Sequence, residues 1–206
     1  MNAILGFGQL LDMDSENTLA TIQQANVRHI LKAGEHLLEL INDILDLSKI
    51  ESGKVSLSIE AFHIHSLITE VAKLLQPIMV EHALVIKIDS VEEPELAVKA
   101  DRVRLKQVLL NLMHNAIKYN RKGGSISISS KKLDGQKVQI SVEDTGVGIS
   151  PESLENIFKP FERGSSDIDH IEGTGIGLAI SRKLTDLMKG SIDVQSEEGK
   201  GSCFSI

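Results

Sequence analysis

The spacing of apolar positions changes along the chain, and each change marks an element. From Thr18 to about Ser52 there is no proline, and Ile30, Leu37, Leu38, Ile41, Ile44 and Leu45 recur at helical spacing. This predicts one long amphipathic helix. Before it, "NAILGFGQLL" predicts a shorter helix, with "DMDSEN" as a polar turn that lets the two run antiparallel. One helical hairpin cannot bury both apolar stripes by itself. Pairing with a second copy to form a four-helix bundle covers them, so a homodimer is expected.

After "ESGK" the period switches, which places a boundary near residue 54. "VSLSI" alternates like a strand, "HSLITEVAKLLQPIMVEH" is helical, and "LVIKI" and "LAVKA" predict short strands. Asp101 stands where an N-cap should, opening a helix that contains "NLMHNAIKYN". "SISISSKKL" and "KVQISVED" form a predicted hairpin about Asp134-Gly135. A last helix runs from about Gly175 to Met188, and "SIDVQS" and "SCFSI" are closing strands about "EEGKG". This order predicts an α+β chain: a helical hairpin, then a two-layer α/β sandwich whose mixed sheet is covered on one face.

Composition narrows the function classes. With 206 residues, 41% of them hydrophobic, the chain can bury one full globular domain plus an appendage. The net charge is -7, and no basic block is interleaved with aromatics, so no nucleic-acid partner is expected. A single cysteine, Cys203, excludes an internal disulfide framework and a cysteine-based zinc cluster, and fits a reducing, cytoplasmic setting. No apolar run approaches the roughly 20 residues a membrane helix needs, so no membrane segment is expected in this stretch, although a longer parent protein is free to be membrane-anchored.

The chemistry begins in "NLMHNAIKYN". Asn111, Asn115 and Lys118 fall at i, i+4 and i+7, in one row beside an apolar stripe of Leu105, Val108, Leu109, Leu112, Met113 and Ala116. A polar row beside a core stripe lines something other than the core. Downstream, "DTGVG" and "EGTGIG" are glycine turns that allow close backbone approach. "EGKGS" reads as an ordinary strand turn. "EGTGIG" opens a helix, so free N–H groups and the positive dipole end suit an anion there. Walker and Rossmann fingerprints fit poorly. The long polar stretch "SPESLENIFKPFERGSSDIDHIEGTG" reads as a lid, with Phe158 and Phe161 anchoring its base and Arg163 able to reach a terminal phosphate.

Taken together, "NLMHNAIKYN", "VEDTGVGIS", "IFKPFER" and "GTGIGLAI" resemble the N, G1, F and G2 boxes of sensor histidine kinases. Their catalytic domain has the Bergerat ATP-binding fold of the gyrase, chaperone, histidine kinase and mismatch-repair superfamily. "LINDILDLSKIESGK" is similar to the end of the second helix of the family's dimerisation and phosphotransfer hairpin. The resemblance implies a hairpin over residues 1–53 and an ATP-binding domain over 54–206. It implies that Asn115 ligates Mg2+, with Asn111 in the same site, that Lys118 contacts phosphate, and that Tyr119 lies beside the nucleotide. Asp144 would accept from the adenine amino group, with Gly146 and Gly148 admitting the base, although alone it also reads as an Asx turn. Gly173, Gly175 and Gly177 would form the phosphate turn, Ile149, Thr174 and Leu178 complete the nucleotide set, and Arg163 meets the γ-phosphate. Asn115, Lys118 and Arg163 are then the catalytic candidates.

The family passes the γ-phosphoryl of ATP, with Mg2+, to a histidine on the first hairpin helix, leaving ADP, and from there to the receiver domain of a response regulator. That histidine's box is missing from the sequence, which starts "MNAILGFGQL", so these residues are expected to be unable to autophosphorylate. His29 and His36 read as surface or interface residues. A non-catalytic dimeric nucleotide-binding module that regulates a partner kinase is the alternative. A gyrase-type hydrolase is disfavoured because "NLMHNAIKYN" offers amides and no carboxylate. The segment from Arg163 to Glu172 is expected to be disordered without nucleotide.

Overall fold

A computed structural model of the chain describes residues 2–13, 19–88, 96–134, 137–162 and 173–206. They form two compact units, Met1–Ser52 and Gly53–Ile206.

The first unit is a helical hairpin of α1 (Asn2–Asp12) and α2 (Thr21–Glu51). Two glycines let the helices approach. A Cβ at Gly8 would lie 2.7 Å from Leu31 Cδ2, and one at Gly34 would lie 2.8 Å from Leu5 Cδ2. Leucine therefore fills a glycine gap in each direction, and Arg28 Nε closes the far end on Asp12 Oδ1 at 2.9 Å. These pairings run antiparallel. The hairpin nonetheless buries little: Phe7 is 69% exposed and Ile22 76%, and Leu10, Ile30, Leu37, Ile41, Ile44 and Leu45 are exposed as well.

The second unit begins with β1 (Ile59–His63), α3 (Ile64–Glu81), β2 (Val85–Ile88) and β3 (Ala97–Asp101). α4 (Arg102–Lys118), β4 (Ser125–Leu133), β5 (Lys137–Asp144) and the short α5 (Pro151–Leu154) follow. α6 (Gly177–Leu187), β6 (Asp193–Glu197) and β7 (Gly201–Ser205) close the chain. The main sheet has the order β2-β4-β5-β7-β6 and is mixed, because β2 runs parallel to β4 while the other neighbours are antiparallel. Ile126, Ile128, Ile140, Val142 and Phe204 turn one face of it toward α3 and α4, and α6 packs against α4. The alternate positions, Ser127, Ser129, Ser141, Glu143 and Cys203, share the polar face. The α+β sandwich expected from the pattern is the architecture observed.

Two details differ from the sequence expectation. The strand anticipated at "VSLSI" starts only at its last residue, Ile59, and continues to His63, pairing with β3 in a separate two-stranded sheet. Ser58 N–H donates to Asp101 Oδ2 at 2.9 Å, so the N-cap of α4 takes up the backbone just before the strand. The last helix starts at Gly177 rather than Gly175, because Gly175 has φ +69 and cannot lie in a right-handed helix. The turns expected around "DMDSEN" and at Gly135 fall largely outside the described residues.

Candidate functional site

The site is built on α4. Asp101 caps it as anticipated, its carboxylate accepting from Arg104 N at 3.0 Å and from Ser58 N. Burial opposes ionisation of Asp101, but the donors from Ser58, Arg104 and Val103 outweigh it and hold the carboxyl below its ordinary value. Glu70 of α3 grips the same helix, with Lys106 Nζ at 2.6 Å and Arg102 at 2.5 Å. Leu105, Val108, Leu109, Leu112, Met113 and Ala116 are all buried, joined by Ile117, so the rotation of α4 is fixed and its polar row is presented at the edge of the core.

The row divides into different tasks. Asn111 Nδ2 donates to Ser181 Oγ of α6 at 2.8 Å, and its amide oxygen occupies space that a Cβ on Gly177 would need. Asn115, half-buried, makes no side-chain hydrogen bond among the described residues. Its amide oxygen is therefore available to a ligand. Lys118 Nζ lies 4.9 Å from the centre of the Tyr119 ring and beside Gly173, where a Cβ would collide with it. Lys118 pairs with no carboxylate among the described residues, so its charge is uncommitted. These contacts bring "NLMHNAIKYN" and the start of "GTGIGLAI" together.

α6 begins at Gly177, and its N-cap residue Ile176 makes no side-chain cap bond, so the positive end of the helix at the glycine turn suits an anion. Ile176 N–H is turned back to Thr174 Oγ1 at 3.2 Å, and Leu178 is half-buried in the first turn. Gly175 accepts from Phe161 N–H at 2.9 Å, tying the glycine turn to the end of "IFKPF". Phe161 is 62% exposed and itself in the left-handed region, φ +66, while Phe158 packs under Arg182 with the guanidinium 5.0 Å from the ring centre. Arg163 and the segment to Glu172, the predicted lid, lie outside the described residues.

Asp144 ends β5 and is buried. Its Oδ1 accepts from Gly146 N–H at 2.8 Å. Burial pushes its carboxyl up, against the lowering by N–H donors from Gly146 and Ser202, and Glu143 adds to the rise. The Asx-turn geometry and the buried carboxylate thus coexist in one residue. Tyr119 O accepts Val147 N–H at 3.0 Å, so the end of α4 holds this loop. Gly148, φ +72, is pressed against the Glu197 carbonyl, where a side chain would overlap backbone, and Ile149 N–H donates to Ser196 Oγ at 2.9 Å.

The residues that sequence reasoning missed are Ser181 and Arg121. Arg121 Nε donates to Thr145 O at 2.6 Å, and Nη2 to Gly146 O at 3.0 Å and Gly199 O at 2.7 Å. No local pattern reveals either, because their partners lie far along the chain. A hollow of about 340 Å³ borders Asp144, Glu197 and Ser202. A larger one, about 540 Å³, lies on the polar sheet face along Lys131, Ser141 and Gln195, and contains none of the candidate residues. Among the described residues no cluster of three or more His, Cys, Asp or Glu exists to hold a metal, and no helix is long and apolar enough to cross a membrane.

Residues 100–206 match the family model of histidine kinase-, DNA gyrase B- and HSP90-like ATPases, and residues 1–53 match the His Kinase A (phospho-acceptor) domain. The chain is 36% identical over 211 residues to the Non-motile and phage-resistance protein of Caulobacter vibrioides, and 35% identical over 207 residues to the histidine protein kinase DivJ of the same organism. All of this chain is covered in both cases, but only 25% and 34% of those proteins, so it spans about a quarter to a third of their length. Among solved structures, full-length ShkA in complex with AMPPNP aligns with a TM-score of 0.80 at 32% identity, covering 99% of this chain and 42% of that one. The histidine kinase ThkA in complex with the response regulator TrrA aligns with a TM-score of 0.70 at 28% identity, covering 99% and 56%.

Proposed function

The chain belongs to the histidine kinases of two-component signalling, and from that premise we propose that residues 54–206 bind Mg-ATP and donate its γ-phosphoryl to a histidine, residues 1–53 being the dimerisation and phosphotransfer hairpin. The observation that carries the reading is the placement of Lys118 Nζ against Gly173, at the glycine turn that leads into the N-terminus of α6. A cation and the positive end of a helix converge there, which suits a polyphosphate.

Asp144 accepts the adenine amino group, with Gly146 and Gly148 leaving room for the ring. Tyr119 lies along the nucleotide, and Gly173, Thr174, Gly175, Gly177 and Leu178 wrap the phosphates. Asn115 fits Mg2+, since its amide oxygen, without another partner among the described residues, is a hard donor of the kind that ion takes alongside water and phosphate oxygens. The ion, when bound, neutralises charge on the phosphates. Asn111 positions the first turn of α6 through Ser181. Arg163 meets the γ-phosphate. A neutral imidazole nitrogen attacks the γ-phosphorus, the bond from phosphorus to the bridging oxygen breaks, and ADP leaves with that electron pair.

The partners follow from the same reading. The exposed apolar positions of α1 and α2 support a homodimer through the hairpin. ThkA, which aligns over nearly the whole chain, is seen with a response regulator, which supports a receiver domain as the next acceptor here. A cytoplasmic location accords with ATP as substrate. The test is phosphoryl transfer from radiolabelled ATP to a separate hairpin carrying the complete acceptor box. We expect labelled hairpin only with Mg2+ and only with Asn115 intact. Good nucleotide binding without transfer would favour a regulatory nucleotide-binding module.

A further inference from the structure

We propose that Arg121 is a positioning residue of the nucleotide site, holding the base-reading carboxylate of Asp144 in place through a single peptide group; the proposal rests on the nucleotide reading above. The peptide that joins Thr145 to Gly146 is engaged at both ends. Its N–H donates to Asp144 Oδ1 at 2.8 Å, and its carbonyl, Thr145 O, accepts from Arg121 Nε at 2.6 Å. No described peptide bond is cis, so this group is a flat trans unit whose C=O and N–H point in opposite directions. Fixing the carbonyl fixes the N–H, and that N–H, together with the donor from Ser202, orients the carboxylate.

The same guanidinium does two further things. Nη2 takes the next carbonyl, Gly146 O at 3.0 Å, which pins the following peptide, and Gly199 O at 2.7 Å in the turn between β6 and β7. A second stitch crosses the same gap, from Gly199 N–H to Val147 O at 2.7 Å, and Gly148 packs on the Glu197 carbonyl. Loop and turn are thus fastened side by side, with Arg121 reaching both from the segment just beyond α4. Backbone carbonyls at such turns have no strand partner, and a planar fork with donors on adjacent edges satisfies several at once. A lysine ammonium brings charge but no fixed plane, so it cannot hold the Thr145–Gly146 peptide and the Gly199 turn in one orientation.

Two diphosphates that differ at the purine 6-position separate this role from general support of the fold. ADP carries the amino group that Asp144 would accept, and IDP carries a carbonyl there. Titration calorimetry with each, on the unmodified chain, Arg121→Ala and Arg121→Lys, with thermal melts alongside, reads both affinity and discrimination. Arg121 is exposed, so a moderate effect is expected: roughly tenfold weaker ADP binding in both variants, a smaller ADP-to-IDP preference, and lysine failing to rescue. Equal weakening of ADP and IDP, leaving their ratio unchanged, would overturn the proposal, as would full rescue by lysine or unchanged ADP binding. Absence of ADP binding by the unmodified chain would overturn the nucleotide reading and this inference with it. Should Arg121→Ala fail to fold, the same readouts on Arg121→Lys decide.

Discussion

Asn111 and Ser181 lie 70 residues apart in sequence and meet through one hydrogen bond of 2.8 Å between α4 and α6. The bond sits at the seam where the polar row of one helix meets the first turns of the other, and Ser181 is almost fully buried. On the proposed reading Asn111 acts on the phosphate end of the site through α6, and the Asn115 side chain, without a hydrogen-bond partner among the described residues, is left to contact the ligand. Removing either member of the pair should cost about 1 kcal/mol of stability. A double-mutant cycle of Asn111→Ala and Ser181→Ala, followed by urea denaturation, should show coupling of about 0.5–1.5 kcal/mol, whereas simple additivity would mean that the contact carries no energy.

Two aspartates of the same unit should respond to pH in opposite directions. Asp101 is held below the ordinary carboxylate value, so its contribution is complete above that value and is lost as pH falls through the lower, folded one. Asp144 is pushed up, chiefly by burial, so the fold is penalised once pH rises through the ordinary value toward the raised one. Measured against Asp101→Asn, the unmodified chain should gain relative stability from acid to neutral pH. Measured against Asp144→Asn, it should lose relative stability over the same range. Thermal melts of the three proteins from pH 3 to 7 check both signs.

Ser130 Oγ is buried on the helix-facing side of β4 and, among the described residues, is the only buried side-chain polar atom with no hydrogen bond. Its desolvation is uncompensated, so Ser130→Ala should raise stability by up to about 1 kcal/mol with nucleotide affinity unchanged. A loss of stability in denaturant would show that the hydroxyl has a role the structure does not reveal.

Gly148 combines φ +72 with a neighbouring Glu197 carbonyl that leaves no room for a Cβ. Gly148→Ala should cost at least 1–2 kcal/mol, roughly what the left-handed conformation alone imposes, and should also weaken ADP, because the loop beside Asp144 must move. Gly199→Ala offers a contrast. Its φ is +80, but no atom lies within 4 Å of the added methyl, so the strain should appear without the overlap.

What could be read from the sequence follows the reach of each signal. Helical and alternating periods located α4, β4 and β5 closely, because each buries one face continuously and the pattern repeats within the element. The N-cap at Asp101 was legible for the same reason, since its partner Arg104 N–H lies three residues on. "VSLSI" misled because its alternation says nothing of where pairing starts. That is set by β3, whose Asp101 pairs with Ile59 and takes the Ser58 N–H. The site candidates were found by resemblance and by the polar row on one helix. Arg121 and the Asn111–Ser181 contact were not, because three backbone carbonyls and a serine 70 residues away leave no local mark.

The most direct measurement of the central reading is a calorimetric titration of the chain with AMPPNP, with and without Mg2+, repeated on Asn115→Ala. Asn115 supports nothing else among the described residues, so the variant should melt within about 0.5 kcal/mol of the unmodified chain. The account predicts saturable, magnesium-dependent binding that weakens when Asn115 is removed. Binding that ignores both magnesium and Asn115, or no binding by a chain that circular dichroism shows to be folded, would contradict it.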